Sequence, residues 1–132
     1  MLKLVKRIAC PSRIVAAVGA TALMLLAGHG RVSAAEPDRT FTIVNVEYEG
    51  TKIWLPTPLI VKKGERVRVN LINKVPTDPN QHGFAIAAFG VQAVVTRGEP
   101  QTVEFVADRA GVFPITCQLH PAHVGGQLLV VE

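Results

Sequence analysis

Cysteine is nearly absent from this chain. Two residues among 132, Cys10 and Cys117, cannot build a disulfide-dense mini-fold. Aromatic residues are scarce at 5%, with five Phe, one Trp and one Tyr. Methionine occurs only at Met1 and Met24. Charged residues make up 18% and no low-complexity tract is present, which excludes a disordered, charge-solvated chain. No apolar run reaches the ~20 residues that a membrane-spanning helix needs. The longest, Ile14 to Ala27, has 14.

That run sits in a recognisable pattern. Lys3, Lys6, Arg7 and Arg13 precede it without an acidic residue, and Ser33, Ala34 and Ala35 follow it. A basic start, a short apolar centre and a small-residue site make a secretory signal peptide. Residues 1–35 are therefore read as an export leader, cleaved after Ala34 or Ala35, with an uncleaved N-terminal anchor as the rival. Cys10 precedes the apolar run, which argues against lipid attachment. The expected product is a single periplasmic or exported domain, residues 36–132, with no stable membrane insertion.

Removing the leader changes the composition. The whole chain carries a net charge of +4, but residues 36–132 hold nine Lys and Arg against ten Asp and Glu, a balance of about −1. A nucleic-acid partner has no basis at that charge. Both methionines, Cys10 and His29 leave too. One cysteine and three histidines remain: Cys117, His82, His120 and His123.

The remaining domain reads as β throughout. Phe41–Tyr48 is rich in β-branched and aromatic residues, and Val67, Val69 and Leu71 alternate with polar neighbours over Arg66–Ile72. Further short strands are expected over 59–62, 83–87, 91–96, 101–106, 112–117 and 127–131, separated by Gly, Pro and Asp turns. No segment keeps a 3.6-residue apolar period. This spacing predicts an all-β Greek-key sandwich or barrel. Tyr48 and Trp54, within 41–58, look exposed enough for a contact segment, although the stretch also suits a barrel strand.

Cys117-Gln118-Leu119-His120-Pro121-Ala122-His123 places three metal-ligand side chains within seven residues, and His82 opens a strand 35 residues upstream. A thiolate with two imidazoles is the trigonal donor set of a copper electron-transfer centre with a weak fourth ligand. One Cys and three His also suit a closed zinc tetrahedron. With no methionine left, His123 is the candidate fourth ligand, or it turns to solvent and leaves three. Gly83 is placed to offer its N–H to the Cys117 sulfur. Leu119, Pro121, Ala122 and Val124, with Ala87, Ala88 and Phe89, are candidates for an apolar rim around His120.

These residues carry a family resemblance. One upstream His, then Cys-x₂-His-Pro-x-His before the closing strand, resembles the cupredoxins, in the short-loop form of the amicyanins with His123 at their Met place. The runs Val61-Lys62-Lys63-Gly64-Glu65, Gly83-Phe84-Ala85-Ile86, Ala88-Phe89-Gly90-Val91-Gln92 and Cys117-Gln118-Leu119-His120-Pro121 resemble the nitrosocyanin-like red copper proteins. This chain departs from them in having His82 where they use glutamate, and in the earlier position of His123. The resemblance implies one copper per chain held by His82, Cys117, His120 and His123, and a one-electron carrier rather than an enzyme. It also implies a redox partner protein and a trimer. Two alternatives stand beside it: a site for a small molecule such as nitric oxide, and copper handling or structural zinc. No Ser–His–Asp order, paired catalytic carboxylates or phosphate loop points to a hydrolase.

Overall fold

The computed structural model describes residues 35–132, so the expected leader lies outside the described residues. Nine strands follow in order: β1 Arg39–Tyr48, β2 Thr51–Leu55, β3 Leu59–Lys62, β4 Arg66–Asn73, β5 Gln81–Ile86, β6 Val91–Thr96, β7 Gln101–Val106, β8 Gly111–Ile115 and β9 Gly126–Val131. A single 3₁₀ turn, Ala87–Phe89, joins β5 to β6. Among the described residues no helix is long and apolar enough to cross a membrane.

One sheet has the order β2-β1-β4-β7, with β1 and β4 parallel and the other pairs antiparallel. The second has the order β3-β9-β8. The β5–β6 hairpin joins it through Ala85 and Thr116, which exchange two backbone hydrogen bonds of 2.9 Å. The alternation expected in β4 is realised: Val67, Val69 and Leu71 are fully buried. They meet Leu59, Val61, Phe84, Ile86, Ile115, Leu128 and Val130 from the facing strands in one core. The all-β sandwich expected from strand spacing is the fold observed.

The contact-segment reading fails at Trp54, which is 2% exposed, while Tyr48 is 70% exposed. The reason is local. Glu49 and Gly50 both take positive φ, 46° and 77°, and Tyr48 pairs with Thr51. This is the two-residue turn whose twist suits a tight hairpin. The chain reverses there and β2 folds back along β1, turning Trp54 inward against Phe84 at 5.7 Å, edge to face. Glu-Gly is a weak turn signal beside Asn-Gly, so the sequence reads as one long segment.

β8 ends two residues earlier than expected, at Ile115, because Thr116 pairs with Ala85 and Cys117 begins the loop. That loop returns to β9 through Gly125, and the Ile115 carbonyl oxygen occupies the space a Cβ at residue 125 would need. Gly125→Ala is expected to destabilise the protein by about 1–3 kcal/mol through overpacking. Urea unfolding midpoints of the two proteins measure the loss.

Candidate metal centre

Three separate elements bring the donors together. His82 is the second residue of β5, opposite Val95 of β6. Cys117 lies two residues past the end of β8, after the bridged Thr116, and His120 and His123 lie on the two successive turns after it. Backbone hydrogen bonds shape those turns: His120 N–H donates to Cys117 O at 3.2 Å and His123 N–H to His120 O at 3.0 Å. One ligand atom from each of His82, Cys117, His120 and His123 falls within 4.8 Å of all the others. The structure thus brings together all four residues singled out in the sequence.

The chemistry of the group is that of a metal cradle. His82 is 0% exposed, and neither of its ring nitrogens has a hydrogen-bond partner. His123 Nδ1 is also buried and unpartnered. Leaving such atoms unpaired in a protein interior costs on the order of 1–3 kcal/mol each, and a cation among them removes that cost. The imidazole rings of His82, His120 and His123 stand 4.6–5.4 Å apart. His120 Nδ1 lies 3.5 Å from Cys117 Sγ. The Gly83 N–H donates to Cys117 Sγ at 3.1 Å, as expected from the sequence. These residues fit a soft cation with a mixed thiolate and imidazole preference.

Several supporting residues escaped the sequence reading. Asn73 closes the inward-facing row of β4, where a polar residue should have stood out. Its Nδ2 donates to Asn80 O at 3.0 Å and Val95 O at 3.1 Å, and its Oδ1 accepts from Val75 N–H at 3.0 Å. It ties the Pro-rich loop to the strand opposite His82. Arg97 braces the same loop through Thr77 O at 2.8 Å and Asp78 at 3.3 Å. The Ile53–Val124 bridge sets β2 alongside the end of the ligand loop, with Lys52 next to His123 in register. Lys52 is itself paired with Glu47 at 3.4 Å.

The rim differs from expectation on one side. Leu119 and Val124 are 42% and 47% exposed, beside the half-buried His120. Phe89, by contrast, packs on Phe105 and Phe113 at 5.2 and 4.8 Å, with the Arg109 guanidinium 5.2 Å from its ring centroid. The 3₁₀ turn that carries it starts five residues along β5 from His82, about 16 Å away at strand rise. Ala87 to Phe89 therefore belong to the far end of the sandwich.

Burial pushes the His82 imidazole down to about 4, with His123, His120, Lys52 and Arg97 adding repulsion against its cation. Burial, His120 and Lys52 lower His123 as well. The neutral, ligand-competent imidazole is therefore favoured. A His held below its unfolded value near 6.5 gives stability that is complete above that pH and lost as pH falls towards 4. The metal-free protein is expected to weaken over that interval by an amount on the order of 3 kcal/mol. Urea midpoints at pH 7.5, 5.5 and 4.5 for the native chain and His82→Leu check this: the variant should show a shallower loss.

Comparison with known proteins agrees with this geometry. Residues 14–130 match the model of the cupredoxin-like domain. Nitrous-oxide reductase of Cupriavidus necator is 40% identical over 57 residues, which is 43% of this chain and 9% of that protein. The chain spans about a tenth of the length of the curated relatives it matches. Copper nitrite reductase from Nitrosomonas europaea superposes with a TM-score of 0.59 at 22% identity, covering 70% of this chain and 41% of that one. Auracyanin B gives 0.58 at 17% identity, with 76% and 94% covered. The periplasmic domain of cytochrome oxidase subunit II from Bradyrhizobium japonicum gives 0.58 at 19%, with 74% and 87% covered. At those identities the likeness is one of fold. The matched family and the His/Cys/His/His donor set together point to copper, and the chain belongs to the cupredoxin-like domain family.

Proposed function

We propose that this protein is an exported one-electron carrier, holding one copper ion per chain and serving a periplasmic redox chain. The observation that carries this reading is the convergence of buried His82 and Cys117 with half-buried His120 and His123, both His82 nitrogens lacking any partner. Copper supplies a one-electron couple when bound, and thiolate with imidazole suits both of its oxidation states.

The residues of the chain do the rest. Cys117, His82 and His120 would be the principal donors to the copper, with His123 as the fourth. Donors anchored on β5, on the end of β8 and on a hydrogen-bonded double turn keep their positions when the charge of the site changes. Little rearrangement then accompanies electron transfer. The exposed Leu119 and Val124 offer a small apolar surface beside His120, suited to brief docking of a redox protein. With a charge near −1 on residues 36–132, docking should depend weakly on salt.

A second reading follows the nitrosocyanin-like runs: a copper site that binds or transforms a small molecule such as nitric oxide. It needs an open position on the metal. The placement of His123 within the donor cluster favours the closed site of a carrier. A homotrimer rests on the same resemblance. Copper handling or structural zinc ranks behind both, since the exported part has no methionine and a single cysteine.

Metal analysis with visible and EPR spectra of the purified protein decides among these. One copper per chain and a reversible couple are expected; zinc in place of copper from copper-replete cells would overturn the carrier. An imidazole binds more strongly than a thioether, so a green or red protein of low potential is expected. His123→Met should turn it bluer and raise the potential, and identical spectra would remove His123 from the ligand set. Adding nitric oxide should leave the native spectrum unchanged, whereas a new band would favour the second reading.

A further inference from the structure

We propose that Trp54 and Gln118 are positioning residues that jointly fix the Gly83 N–H on the Cys117 sulfur, and so tune the metal centre through a residue that is not a ligand. The effect on copper rests on the reading above; the effect on Gly83 does not.

Gly83 is a junction. Its N–H, in the peptide shared with His82, donates to Cys117 Sγ at 3.1 Å. Its carbonyl accepts from Trp54 Nε1 at 3.0 Å, a buried bond reaching across from β2. On its Cα side lies the Gln118 side chain: a Cβ at residue 83 would come within 2.6 Å of Gln118 Cδ and closer still to Oε1. Gln118 Nε2 continues past Gly83 to donate to Ala93 O on β6 at 2.9 Å. The residue next to Cys117 thus lies across β5 and is fastened on the neighbouring strand. Trp54 holds Gly83 by its carbonyl, and Gln118 covers it from above.

This arrangement accounts for three features the ligand set leaves unexplained. The single tryptophan is buried beside the site, where its N–H needs an acceptor. Residue 83 is glycine because the Gln118 amide occupies the space of a side chain. A half-buried glutamine lies behind the cysteine, with one amide end bonded and the other, buried, packed on Gly83. The consequence is electrostatic. A donor aimed at the thiolate stabilises its negative charge and weakens its donation, which favours the reduced form of a bound metal. Loosening Gly83 should favour the oxidised form.

The test uses protein purified from cells expressing the full chain, with Trp54→Phe and Gln118→Met. The first keeps a ring and removes the indole donor; the second keeps length and removes the amide. In the metal-free proteins the Gly83 amide should exchange about tenfold faster than in the native chain, with the Val69 amide in the core of β4 unchanged. In the copper-loaded proteins the Cu(II)/Cu(I) equilibrium should shift about tenfold towards Cu(II), about 59 mV for a one-electron couple. Unchanged Gly83 exchange in Gln118→Met overturns the positioning role, even if Trp54→Phe fails to fold. Faster exchange with an unchanged potential overturns the tuning. A native chain that takes up no copper overturns the carrier reading and leaves Gly83 exchange to decide the positioning.

Discussion

The structure is organised around a cost: an imidazole without any hydrogen-bond partner in a fully buried place beside a thiol. His82 is 0% exposed with both ring nitrogens unpaired, next to Cys117 and two more imidazoles. A fold that optimised only its own stability would exchange this residue for an aliphatic one. Keeping it requires the surroundings to hold four donors near one another while leaving the His82 nitrogens and His123 Nδ1 unpaired. The sandwich supplies that resistance. Val67, Val69, Leu71, Phe84, Ile86, Ile115 and Leu128 form a continuous buried layer beneath the site. The burial of each large aliphatic or aromatic side chain contributes about 1.5–3 kcal/mol, so a few such residues offset the strained polar cluster at the end of the core.

Three restraints act on the donors, and they come from distant parts of the chain. Asn73 and Arg97 fasten the loop ahead of His82. The Ile53–Val124 bridge and the close seating of Gly125 on Ile115 fasten the end of the ligand loop. Trp54 and Gln118 fasten Gly83 between two ligands. The ligand loop itself is short, and its own backbone hydrogen bonds amount to the two turn closures at His120 and His123. Rigidity at this centre is therefore a property of the sandwich end as a whole. That is the requirement for low rearrangement on electron transfer.

How much of this was legible in the sequence follows from how local each signal is. The alternation in β4 depends on neighbours two residues apart, so it survives in the sequence and in the structure alike. The four donors were legible because residues 36–132 hold no other Cys or His to compete with them. The Gly83 bond to sulfur was legible from adjacency to His82. Trp54 was not: its burial depends on a Glu49–Gly50 turn, whose weak chemistry hides the reversal, and on an acceptor 29 residues away. Gln118 was hidden for a related reason. Its partners, Gly83 and Ala93, lie on a hairpin 25 to 35 residues upstream that the Ala85–Thr116 bridge brings alongside the start of the ligand loop. The rim failed at Phe89 because apolar composition does not say which end of a strand a residue occupies.

The placement of polar side chains then bears on the proposed carrier role. The pairs Glu47–Lys52 and Asp78–Arg97 stand near His82 on elements already fastened to one another. Each pair is closed on itself or on the loop, while Lys52 and Arg97 still repel a cation on His82 and so favour its neutral form. Gln118 and Asn73 are likewise committed to backbone groups. Leu119 and Val124, exposed beside the half-buried His120, give the donor cluster an apolar edge. Under the carrier proposal, that edge would be where a redox partner approaches His120. Donors held on fastened elements beside an exposed apolar edge are the geometry that such an approach requires.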